Sequence, residues 1–181
     1  MATFTGCILI DARSVGAHLP RQLAVVAPLC RRSPPDFSLT LVDDTGDTRL
    51  PRIARRFGAR LISLPQTPLG QRLNEAVAQS GGEVLVFPAV GNAVTTEALS
   101  RLAARIVAHE LDASALPTLH HGLLHRLLAR VRRLPSGDGL CLSRDWFERI
   151  GGCDPELDGE AIGELVERLR ACGARVSGNT Y

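Results

Sequence analysis

Four apolar runs of strand length, CILI (Cys7–Ile10), SLTLV (Ser38–Val42), RLISL (Arg60–Leu64) and VLVF (Val84–Phe87), alternate with longer segments whose apolar residues recur at helical spacing. That alternation constrains the chain more than any other feature. Short, mostly apolar strands suit a sheet covered on both faces, and a helical crossover returns the chain to the same edge, so successive strands run parallel. The expected fold class is α/β, a mainly parallel central sheet flanked by helices. One domain spanning residues 1–181 is long enough to hold it around a sizeable core.

Helix punctuation supports the reading. "LPRQLAVVAPLCRR" is helical, with Pro28 bending or shortening its end. "TRLPRIARRFG" has Pro51 near its start, arginines in its last turn and Gly58 beyond. "GQRLNEAVAQSGG" puts Leu73, Ala76 and Val77 on one face, and "TTEALSRLAARIVAHEL" offers Thr95 or Thr96 as N-cap with Leu99, Leu102 and Ile106 as its buried stripe. The second half is less regular. An amphipathic helix ending near Leu134, a strand GLCLS (Gly139–Ser143), a short helix "RDWFERIGG", a longer one "GEAIGELVERLRACG" and a last strand from Ala174 are expected.

Composition excludes several classes of function. A net charge of +2 is too small for binding a phosphate backbone, so no nucleic-acid partner is expected. All 21 basic residues are arginine, which reads as the codon bias of a GC-rich genome. Five cysteines without a close pair suggest neither disulfides nor zinc, and fit a reducing cytoplasm. His120, His121 and His125 lack metal-ligand spacing. No basic leader precedes the first apolar run and no run is long enough to span a bilayer, so neither a signal peptide nor a membrane helix is expected. "LLHRLLARVRR" reads as a domain helix with an arginine face; the competing reading lays it on an anionic membrane, which would place the protein at the periphery of the inner membrane.

In an open α/β sheet, ligands bind outside the carboxyl ends of the strands. Three exits carry informative residues: Asp11 after the first strand, "DDTGDT" (Asp43–Thr48) after the second, and "PAVGN" after the fourth. Asp43, Asp44 and Asp47 have the acceptors to take hydrogen bonds from a base or from ribose hydroxyls. The alternative is structural: Asp44 and Asp47 cap the next helix while Asp43 pins the turn.

"ILIDARS", "LTLVDDTGDT", "ARRFGARLISLP", "LNEAVAQSGGEVLVFPAVGNAVTTEAL" and "GLCLSRDWFERIGG" follow in order the landmarks of a known family. The chain resembles the family-two glycosyltransferases of the type-A fold, and within them a compact bacterial subgroup whose late loop is similar to "LPSGDG". The resemblance implies a Rossmann-like nucleotide-binding half (residues 1–94) and an acceptor-side half (residues 95–181). It implies a nucleotide diphosphate sugar as donor, a lipid or saccharide acceptor, Mg²⁺ or Mn²⁺ at an Asp-x-Asp turn after the fourth strand, and a carboxylate base near a late helix. Asp43 matches the residue that contacts base and ribose, and Asn74 matches an asparagine on the helix before the fourth strand. Arg72 is placed to approach the diphosphate, since a guanidinium offers paired donors to phosphate oxygens; otherwise it is a solvated helix arginine.

Two motifs depart from the family. The metal turn falls on Pro88, Ala89 and Val90, which offer no side-chain oxygen, so no metal cofactor is expected unless the family's usual chemistry is retained. The acidic pair containing the base falls on Ala161 and Ile162, with Glu160 one residue away, and Asp138 occupies the subgroup's acidic loop position. Asp138 and Glu160 are therefore the candidate catalytic residues, and Asp11, Asp43, Asp44, Arg72 and Asn74 the candidate nucleotide-binding ones. The expected function is a divergent glycosyltransferase, weakly active or metal-independent. A catalytically inactive relative that binds a nucleotide, a sugar or a protein is the alternative; a nucleotidyltransferase-like protein, suggested by "LGQRLNEAVAQ", is a third.

Overall fold

The computed structural model describes residues 5–31, 37–89, 95–116 and 139–178. Seven strands form one sheet: β1 (Gly6–Asp11), β2 (Phe37–Asp43), β3 (Arg60–Ser63), β4 (Val84–Phe87), β5 (Ala113–Leu116), β6 (Gly139–Ser143) and β7 (Val176–Ser177), in spatial order β3-β2-β1-β4-β6-β5-β7. β6 runs antiparallel to both neighbours and the other pairings are parallel. The helices among the described residues are α1 (Ala12–Val15), α2 (Leu19–Cys30), α3 (Leu50–Phe57), α4 (Leu69–Ala78), α5 (Thr96–Val107), α6 (Arg144–Arg149) and α7 (Ala161–Ala171), with a 3-10 turn at Gly16–His18.

Side chains alternate across the sheet, so each strand feeds two cores. Ile8, Ile10, Leu39, Leu41, Val84 and Val86 pack under α2, α3 and α5. Cys7, Leu9, Val42, Leu85, Phe87, Leu140 and Leu142 pack under α4 and α7. Each fully buried side chain of this size contributes about 1.5–3 kcal/mol. The apolar face of α4 (Leu73, Ala76, Val77) falls as its spacing predicts, and so do Leu99 and Ile106 on α5, where Leu102 is only partly buried and Ala103 fully so; Thr95 is the N-cap of α5, accepting from the Ala98 N–H at 3.3 Å.

β5 and the single turn α1 are elements that the sequence reading omits. ASAL carries weak strand preference, and the segment is a strand because pairing with β6 and β7 buries Ala113 and Leu116. The reading also carries β3 one residue too far, to Leu64. α2 continues through Pro28 and ends at Cys30; a proline this near the end removes little of the ladder. The expected helix around "LLHRLLARVRR", together with its histidines, lies outside the described residues, as do Val90 and Asp138.

Candidate functional site

The order of strand addition reverses at β1: β2 and β3 are added on one side of it and β4 on the other, all four running parallel. The crevice at the carboxyl ends of these strands is the topological switch point, and the chain concentrates charge there. Asp11 ends β1 and caps α1, its Oδ2 accepting from the Ser14 N–H at 2.8 Å and from the Ser14 hydroxyl at 2.6 Å. Asp43 ends β2 and pins its own turn, taking the Thr45 N–H and hydroxyl at 2.7 Å each. This is the structural role weighed for Asp43. Asp47 likewise holds the start of α3 by accepting from the Arg49 N–H at 2.9 Å, and the Arg49 side chain holds its carboxyl down at about 2.

Asp44 does something else: its side chain is fully buried and caps nothing. Its Oδ2 takes Arg72 Nη1 and Arg13 Nη1 at 3.0 Å each, while its Oδ1 is buried without a partner. Arg72 itself is no solvated helix arginine, being 0% exposed. From the buried face of α4 it donates to Asp11 through Nε at 2.8 Å and Nη2 at 3.1 Å, and through Nη1 to the Thr67 carbonyl as well as to Asp44. Of five N–H groups this leaves one on Nη2, and beyond Asp11 the next carboxylate to that nitrogen is Asp158, with Oδ1 at 3.9 Å. A guanidinium this deep is stable only because two carboxylates face it.

Asn74 forms a reciprocal pair with the backbone of Cys153, donating from Nδ2 to the carbonyl and accepting at Oδ1 from the N–H, both at 2.8 Å. The neighbouring Gly152 has φ +74°, and a Cβ there would stand 2.5 Å from Asn74 Oδ1. One turn earlier, Gly70 lets α4 meet the loop after α6: its N–H donates to the Leu157 carbonyl at 2.9 Å, and a Cβ would come within 1.8 Å of the Asp154 carbonyl oxygen. This docking brings Asp158 to the crevice, where Oδ1 accepts from the Leu69 N–H at 3.2 Å and Oδ2 lies 4.0 Å from Arg13 Nη2.

The described residues of the fourth exit do not fit a metal. Pro88 and Ala89 present only carbonyl oxygens, and both accept from Gln22 Nε2 on α2, at 3.3 and 3.1 Å. The Asp11 and Asp44 carboxylates are engaged by arginines, and among the described residues no group of three potential ligands has the geometry for an ion. Cysteine offers no substitute: burial pushes the Cys141 and Cys153 thiols up to about 12. On the acceptor side, Ala161 is wholly buried and Glu160 stands exposed at the N-cap of α7.

A cleft of about 610 Å³ opens directly outside the exits of β1 and β2. Ala12, Leu19, Pro20, Leu50 and Ile53 form its apolar wall, and Arg13, Thr45, Asp47 and Arg49 its polar rim. None of the five expected nucleotide-binding residues borders it; Ala12 and Thr45, next to Asp11 and Asp44 in sequence, do, and nothing from α4 does. Arg13 and Asp158 are the residues that sequence reasoning missed. Arg13 follows Asp11 within "ILIDARS" and was legible as a strand-exit cation, whereas Asp158 enters only through the docking of its loop on α4.

No family model matches the chain, and no curated protein does. Solved structures do. A mannosyltransferase from Pyrobaculum calidifontis, in complex with GDP-Man and Mn2+, superposes with a TM-score of 0.74 at 14% identity over 99% of this chain and 55% of its own. S. aureus TarS in complex with UDP-GlcNAc gives 0.72 at 15% identity, covering 96% of this chain and 55% of that one. Glucosyl-3-phosphoglycerate synthase from Mycobacterium tuberculosis, with Mn2+, UDP and glucosyl-3-phosphoglycerate, gives 0.66 at 17% identity, covering 96% and 68%. The chain thus spans about half the length of the first two.

Proposed function

We propose, from the premise that this chain has the Rossmann-like type-A glycosyltransferase fold, that it binds a nucleotide or nucleotide diphosphate sugar without a divalent cation. The observation that carries this reading is the charge cluster at the switch point: Asp11, Asp44, Arg72 and Arg13 joined in one network, beside a fourth exit whose described residues, Pro88 and Ala89, offer only carbonyls already bonded to Gln22. Residues 1–94 form the donor half and residues 95–181 the acceptor half. In transfer by direct displacement, an acceptor hydroxyl oxygen attacks the anomeric carbon, the bond to the diphosphate breaks, and a carboxylate takes the hydroxyl proton. Glu160 and Asp138 are the candidates for that carboxylate, and a lipid or saccharide the candidate acceptor. No described helix is long and apolar enough to cross a membrane, and the setting we infer is cytoplasmic or at the inner-membrane periphery.

Calorimetric titration with UDP and GDP tests the donor reading. Binding that changes little on adding Mn²⁺ is expected; strong metal-dependent binding overturns it. A non-catalytic binding protein is the second reading, favoured by the buried Ala161 where the family places its acidic pair. A screen of nucleotide sugars separates the two. Release of free nucleoside diphosphate above background, diminished in Glu160→Gln or Asp138→Asn, rejects the non-catalytic reading.

A further inference from the structure

We propose that Gln22 is a positioning residue of the candidate site: its carboxamide holds the turn at the fourth exit from inside the protein, as a hard cation would hold it. What the held turn serves rests on the nucleotide reading above; the holding does not. Gln22 lies on the buried face of α2, where Leu19, Leu23 and Val26 surround it with apolar groups, and it is itself 6% exposed. An amide in such a place is costly unless its polar atoms are bonded. Both N–H groups of Nε2 are used, one on the Pro88 carbonyl at 3.3 Å and one on the Ala89 carbonyl at 3.1 Å.

Consecutive carbonyls of an extended strand point to opposite sides. Two that converge on a single nitrogen therefore mark a bend just past Phe87, and converging carbonyl oxygens are ligands of the kind hard cations accept. Here the electropositive end of an amide meets them instead. β6 closes the bend from its other side: a Cβ on Gly139 would stand 2.6 Å from the Ala89 nitrogen and 2.7 Å from the Phe87 carbonyl oxygen. Ala89 is buried as well, so its carbonyl has little recourse to solvent once the amide is removed. Gln22 Oε1 is buried with no partner among the described residues, a loss that a methionine of similar shape would avoid. The position thus answers to the two donors, and both go to the turn. Because β4 is the neighbour of β1, that turn leaves the sheet beside the strand that ends at Asp11, and the amide gives it one shape with or without an ion.

Hydrogen exchange of the full chain, read by mass spectrometry on residues 84–89, tests the holding in EDTA and again with Mn²⁺. Gln22→Met keeps the volume and removes both donors; exchange in this segment should rise about tenfold or more, while residues 7–10 and 38–42 stay as in wild type. Should that variant not fold, Gln22→Asn, whose shorter side chain withdraws the amide, carries the same expectation. Gln22→Glu sets a carboxylate against the two carbonyls, so the segment should loosen in EDTA and recover its protection with Mn²⁺. Mn²⁺ should leave wild type and Gln22→Met unchanged. Unaltered exchange in the variant lacking the donors, protection of the wild-type turn by Mn²⁺, or a Gln22→Glu turn that ignores Mn²⁺ overturns the proposal. Titration with UDP and GDP in EDTA separates it from the nucleotide reading: affinity should fall about threefold or more in Gln22→Met, since a turn that must be ordered on binding costs affinity. Wild type binding neither nucleotide removes that reading and leaves exchange to decide this one; unchanged affinity beside a loosened turn overturns the positioning role.

Discussion

The two edges of the sheet use arginine in opposite ways. At the amino edge Arg144 donates to the carbonyls of Gly82, Val77 and Ser80 at 2.6, 3.1 and 3.1 Å, tying the start of α6 to the loop before β4. Arg175 there closes on Asp112 through three contacts of 2.7–2.9 Å and on the His109 carbonyl, which a left-handed φ of 54° presents. At the carboxyl edge one guanidinium is bracketed by carboxylates, one of which orients a second arginine toward solvent. Both buried side-chain atoms lacking a partner among the described residues, Asp44 Oδ1 and Gln22 Oε1, belong to this edge. The amino edge spends its charges on holding the chain together, and the carboxyl edge keeps some in reserve.

Removing the central cation should break that contrast most severely. Arg72→Ala leaves the buried Asp11 with only the Ser14 donors and the buried Asp44 with only the half-exposed Arg13, and a loss of about 3–5 kcal/mol in urea unfolding is expected. A loss below about 1 kcal/mol would mean that the network contributes little. At the opposite edge Arg144→Ala frees carbonyls rather than charges, so a smaller loss of about 1–3 kcal/mol is expected, with unaltered UDP or GDP binding. An altered affinity would show the edges to be coupled. The smallest effect is a pH dependence. Hydrogen bonds from Arg175 hold the Asp112 carboxyl at about 2, below its ordinary 3.8. The stabilisation is present above the unfolded value and fades as pH falls toward the folded one. Between pH 4 and 2 the wild type should therefore lose on the order of 1 kcal/mol more than Asp112→Asn, a figure reduced for the half-exposed Arg175. Parallel unfolding curves for the two proteins would remove Asp112 from the account.

The four apolar runs made the first half of the fold legible, because buried parallel strands need little besides continuous apolar character. ASAL escaped notice because alanine and serine carry almost no strand signal, and neighbours rather than propensity decide its state. The strand-exit aspartates were legible as a group but not by role. Asp43 and Asp44 are adjacent in sequence, yet one pins its own turn and the other anchors two arginines. That division depends on Arg72 folding inward from a helix whose spacing is equally compatible with an outward arginine. Asp158 was invisible for the same reason, since its place depends on Gly70 admitting a distant loop.

The carboxamide pair between Asn74 and Cys153 has a practical consequence for protein engineering. It stitches a helix of the first half to a loop of the second, beside the β4–β6 pairing that already joins them. The later segment is therefore no interchangeable cassette: a graft from another protein of this fold would have to bring a backbone turn that answers Asn74 and a gap that receives Gly70.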